Sequence, residues 1–138
     1  PRSHRAFKKT IALAARLHAR VTILHLEIPL SPPYAVTDVP FGFNDNWVQD
    51  TEKNQLVLHT KIAERWCQES KRHRVPCAYQ LKVAPISVAE AILQGARRTK
   101  ADLISMASYR NTANTALGGT VRDVLSAAKT PVLEIHAA

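Results

Sequence analysis

Apolar positions along the chain change their period from segment to segment. Ala6, Thr10, Leu13, Ala14 and Leu17 recur at spacings of three and four, the repeat that gathers one helix face. Ser3 stands where it can cap that helix, which is expected to end near Ala19. Val21 to Leu26 is a β-branched apolar run, too short for a helix and apolar on both faces, as buried parallel strands are. A central strand is predicted there. Pro29 to Asn46 holds four prolines and one glycine and reads as a long irregular connection, a length that compact domains keep for functional or mobile segments. A second helix is predicted from about Asn46 to His73, with Leu58, Ile62, Ala63, Trp66 and Cys67 on one stripe. Pro76 ends it, and Cys77 to Val83 alternates as a strand near a sheet edge does.

Ser87-Val-Ala-Glu90 is a capping box: the serine accepts from a first-turn amide and the glutamate reaches back to the amide of the cap. The helix it opens carries Val88, Ala89, Ile92, Leu93 and Ala96 on its inner face and runs to about Lys100. Leu103 to Ala107 is a short apolar strand, and Ser108 to Leu117 a polar loop. Gly119-Thr120 opens a last helix through Lys129, Pro131 breaks it, and Val132 to Ile135 closes the chain as a strand. Helix and strand alternate four times, the mark of βαβ units on a parallel sheet. The predicted class is α/β: a doubly wound, mostly parallel open sheet with helices on both faces. Such sheets usually start with a strand, and this chain starts on a helix, with the first strand apparently absent.

The length of 138 residues fits one domain over 1–138. A net charge of +8 raises the question of nucleic acid, but the basic residues are dispersed over Arg2 to Lys9, Lys71 to Arg74 and Arg97 to Lys100, without interleaved aromatics for base stacking. No nucleic-acid partner is expected. No apolar run reaches the roughly 20 residues of a membrane span and no signal peptide is visible, so the expected location is the cytoplasm. Cys67 and Cys77 read as reduced packing residues. No nucleotide, zinc-protease or redox motif of fixed spacing occurs. His25, in an apolar strand, reads as a hydrogen-bonded core histidine, and His59 is two helical turns from Cys67. Neither a catalytic set nor a metal site is expected.

From Ser3 to Ile135 the chain resembles the universal stress protein family. Ala101-Asp-Leu-Ile-Ser-Met106 is similar to the family's fourth-strand phrase. Gly119-Thr-Val-Arg-Asp-Val-Leu125, followed by Thr130-Pro-Val-Leu133, is similar to its closing helix and strand. Ser3-His-Arg-Ala6 and Leu24-His-Leu26 match the first helix and second strand. The resemblance implies that a first strand, central in the sheet between the second and fourth, precedes Ser3 and ends in a nucleotide-facing aspartate. Pro1 stands at that aspartate's position. Without that strand two buried edges would be left unpaired, each orphaned group costing on the order of 1–3 kcal/mol. The expectation is therefore a fragment of a longer chain or, failing that, a gap filled by a partner's strand.

The resemblance also implies where a nucleotide would bind. Nucleotide-binding members carry a glycine pair separated by two residues after the fourth strand, then a glycine followed by serine or threonine, so that backbone amides and a helix N-terminus meet the phosphates. In this chain Arg110 and Ala113 replace the early glycines, and Gly118, Gly119 and Thr120 keep the far end. The candidate set is Leu26 at the adenine-contacting position, Ser108, Arg110, Gly118, Gly119 and Thr120. No cofactor is required. ATP or another adenine nucleotide is expected to bind weakly. The implied function is a non-catalytic dimeric stress-response module with a degenerate nucleotide site, pairing through Val132 to Ile135 and acting on an unidentified protein partner. The alternatives are an ATP-binding switch and a cytosolic regulatory domain of a transporter or sensor.

Overall fold

A computed structural model describes residues 2–28, 45–84, 87–108 and 118–136. Four helices and four strands alternate: α1 (Arg2–Arg16), β1 (Val21–Glu27), α2 (Asp45–Arg72), β2 (Cys77–Val83), α3 (Val88–Thr99), β3 (Ile104–Ser108), α4 (Gly119–Ala127) and β4 (Val132–His136). The predicted alternation is present throughout. Most of the expected 29–46 connection and nearly all of the 108–117 loop lie outside the described residues.

The strands are parallel, in two pairs. Val21 to Glu27 runs in register with Cys77 to Val83, and Ile104 to Ser108 with Val132 to His136. Among the described residues β1 bonds only to β2 and β3 only to β4. The sheet is thus divided between β1 and β3, where the family resemblance places a central strand. The gap is where the predicted open sheet lacks its first strand: among the described residues β1 and β3 each keep an edge with no strand beside it.

Helices hold the two halves together from opposite faces. Phe7, Ile11 and Ala14 of α1 pack with Val75, Val21, Ile23 and Trp66, while Thr10 shares a 2.7 Å hydrogen bond with Ser105 of β3. On the other side Ala89 and Leu93 of α3 pack with Ile104 and Val124, and Gly95 faces Leu24 of β1. Successive strand side chains point to opposite faces. Accordingly Val21 and Ile23 meet α1, Leu24 meets α3, and Ser105 and Ile104 part the same way. The doubly wound arrangement follows.

Helix ends explain where the sequence reading ran long. α1 stops at Arg16 because His18 takes a left-handed conformation (φ 51°), which lets the amide of Ala19 reach back to Ala14 at 2.9 Å. That six-to-one bond satisfies an otherwise orphaned carbonyl. Arg74 and Lys100 do the same for α2 and α3, with bonds from Val75 to Ser70 and Ala101 to Ala96. Ser3 lies inside the first turn of α1 rather than ahead of it. The buried stripe of α1 is Ala6, Phe7, Ile11 and Ala14, while Leu17 is 62% exposed. On α2 Ala63, Cys67 and Ser70 are buried, but Leu58 and Ile62 are exposed.

Candidate functional site

Parallel α/β sheets gather ligand sites outside the carboxyl ends of their strands. Leu26 sits at that end of β1 and is half-buried. Ser108 is the last residue of β3, 1% exposed, and its hydroxyl has no hydrogen-bond partner among the described residues. A buried hydroxyl left unpaired costs about 1–3 kcal/mol. Gly118 caps α4 without a side-chain bond, and Gly119 and Thr120 form its first turn. All three are exposed. A methyl group added at Gly118 or Gly119 would meet nothing within 4 Å, so described neighbours do not demand glycine at either position. Arg110 and Ala113 lie outside the described residues. A helix start such as that of α4 presents amides and a positive dipole end.

Two concavities flank β2. One of about 410 Å3 lies at the carboxyl ends of β1 and β2, lined by Glu27, Ile28, Val83 and the α2 residues Glu52, Lys53, Gln55 and Leu56. The other, of about 540 Å3, lies at the amino end of β2 around Glu64, Cys67, Lys71, Cys77 and Tyr79. None of the described candidate nucleotide residues, Leu26, Ser108, Gly118, Gly119 and Thr120, lines either one.

The fold also makes polar groupings that the sequence pattern did not reveal. His25 and Glu27, two residues apart on β1, face His59 of α2. The Glu27 carboxylate accepts a hydrogen bond from His59 Nδ1, His25 Nε2 stands 3.3 Å from the same oxygen, and the two imidazole centroids are 4.2 Å apart. Burial holds the pKa of His25 below its ordinary 6.5, reinforced by the facing His59 and opposed by Glu27. The i, i+2 spacing of His25 and Glu27 placed them on one strand face in advance, but nothing in the sequence pointed to His59.

Cys67 and Cys77 are both free thiols with sulfurs 2.8 Å apart. Burial, with the hydrogen bond to Cys67, pushes the Cys77 thiol up to about 12. Between α1 and α2, His4 donates to Glu69 at 2.6 Å beside a stacked Phe7–Trp66 pair with centroids 4.8 Å apart. Trp66 is therefore an interhelical packing residue.

The Universal stress protein family model matches residues 1–136. The chain belongs to the universal stress protein family. Solved structures share its fold. A universal stress protein family member from Burkholderia pseudomallei is 22% identical, with 100% of this chain and 89% of that one covered and a TM-score of 0.72. The universal stress protein from Lactobacillus plantarum is 15% identical, covering 98% and 90%, with a TM-score of 0.78. The one from Archaeoglobus fulgidus, in complex with dAMP, is 16% identical, covering 98% and 88%, with a TM-score of 0.63. No curated protein sequence matches the chain significantly. Among the described residues no helix of this universal stress protein is long and apolar enough to cross a membrane.

Proposed function

We propose that this universal stress protein domain, a single unit over 1–138, is a non-catalytic, dimeric stress-response module of the cytoplasm with a degenerate adenine-nucleotide site. The observation that carries this reading is the sequence after β3, where Arg110 and Ala113 stand in place of the early glycine pair while Gly118, Gly119 and Thr120 keep the helix start. Glycine at those two positions is what lets backbone amides approach phosphates without a Cβ in the way, and the sequence lacks it at both. The candidate contacts are Leu26 for the adenine, Ser108 and Thr120 for hydroxyl bonds, the amides of Gly118 and Gly119, and Arg110 for phosphate charge. Dimerisation runs through β4. Its outer edge is unpaired among the described residues, and an apolar edge strand is normally covered.

A second reading, a true ATP-binding switch, draws support from the unpartnered Ser108 hydroxyl and from the dAMP held by the Archaeoglobus fulgidus relative. Titration with ATP, together with an assay for ATP hydrolysis, separates the readings. Weak binding without turnover supports the degenerate site, tight binding supports the switch, and turnover refutes the non-catalytic assignment.

A further inference from the structure

The His25, Glu27 and His59 grouping lies on the α1–α2 face of the divided sheet. Strand alternation sends Leu26, with its candidate adenine contact, to the other face. Each residue offers one donor atom, a ring nitrogen from each histidine and a carboxylate oxygen from Glu27, and the three lie within 4.8 Å of one another. Tetrahedral zinc with nitrogen and oxygen ligands needs donors about 3.3 Å apart, the separation already found between His25 Nε2 and Glu27 Oε1. A second observation is independent of that spacing. His25 Nε2 is buried, yet makes no hydrogen bond of acceptable geometry among the described residues. A lone pair so placed is either a cost to the fold or a ligand atom. The three side chains keep 39%, 19% and 28% of their exposure, so the grouping lies at the partly solvated margin of the packing.

We propose that His25, Glu27 and His59 bind a divalent transition-metal ion of the zinc class, two imidazoles and one carboxylate fastening α2 onto β1. Two nitrogen donors select zinc, cobalt, nickel or copper and disfavour magnesium, which demands oxygen ligands.

The test uses the purified chain, stripped with chelator and titrated with ZnCl2. One ion per chain, a melting temperature raised by zinc and restored by chelator, and a visible Co2+ absorption band are expected. Magnesium should give none of these. H59Q and E27Q should each weaken zinc binding at least tenfold, whereas H18Q, in the exposed turn after α1, should leave it unchanged. Circular dichroism selects the variants that keep the fold, and the melting shift of the unmodified chain needs no variant. Absence of that shift, equal binding of magnesium, or undiminished zinc binding by folded H59Q would overturn the proposal.

Discussion

Gly95 of α3 lies so close to Leu24 of β1 that a Cβ at position 95 would stand 2.8 Å from Leu24 Cδ2. This contact joins the β1–β2 half of the molecule to the helix covering the β3–β4 half. Two effects oppose each other in Gly95→Ala. Alanine is favoured over glycine inside a helix by about 0.8–1 kcal/mol, while overpacking costs about 1–3 kcal/mol. The clash involves the tip of a movable side chain, so overpacking falls at the low end of its range and the net effect should be close to zero, the helix gain offset by the clash. In a Leu24→Ala background the clash is gone and Gly95→Ala should become stabilising. Denaturant unfolding of the four proteins checks this, and equal effects in both backgrounds would refute the contact as the cause.

The 2.8 Å approach of Cys67 to Cys77 predicts that diamide, accepting two electrons and two protons from the thiols, closes an intramolecular disulfide between α2 and the start of β2. Thiol titration should fall by two per chain. The short loop closed should raise stability by about 3 kcal/mol on the chain-entropy model. Cys77→Ser should abolish both changes. A disulfide-linked dimer from the unmodified chain would show that the sulfurs do not face each other.

Acidification should act through Glu69. The hydrogen bond from His4, with Lys8 and His73 nearby, holds its carboxyl below the ordinary 4.5. A carboxylate whose folded-state pKa is depressed adds stability above its unfolded value, and that stability is lost as pH falls through the folded value. The melting temperature should therefore decline as pH drops from 4.5, and Glu69→Gln should flatten that decline. An unchanged slope in the variant would remove Glu69 from the account.

Local signals were the legible ones. Ser87 could be read as a cap because its partner, the amide of Glu90, is three residues away, and that bond forms at 3.3 Å. The other half of the capping box is not formed among the described residues: the Glu90 carboxylate accepts from Arg97 at 2.8 Å instead, a choice between a cation and an amide that spacing does not decide. On α1 the pattern named one face, Ala6, Thr10, Leu13, Ala14 and Leu17. Packing against Val75 and Trp66 selected Phe7 and Ile11 over Leu17. His59 with Glu27, and Cys67 with Cys77, come together only through helix–strand packing, and no local period encodes that.

The dimer assignment predicts that Leu133→Pro, which removes a ladder donor from β4, yields monomer or insoluble protein. Analytical ultracentrifugation of the unmodified chain at micromolar concentration should show a dimer. A monomer there contradicts pairing through Val132 to Ile135.

Calorimetric titration of ATP into the unmodified chain tests the degenerate-site account most directly. A dissociation constant between millimolar and high micromolar is expected, about −4 to −6 kcal/mol. Glycine at positions 110 and 113 should tighten it, because it restores the pair that lets backbone amides approach phosphates without a Cβ in the way. Against this stand the ordering entropy of glycine and the lost cation of Arg110, smaller effects if the loop curls around the phosphates. Weak binding that strengthens in the double variant is the predicted result. Sub-micromolar binding by the unmodified chain would contradict it.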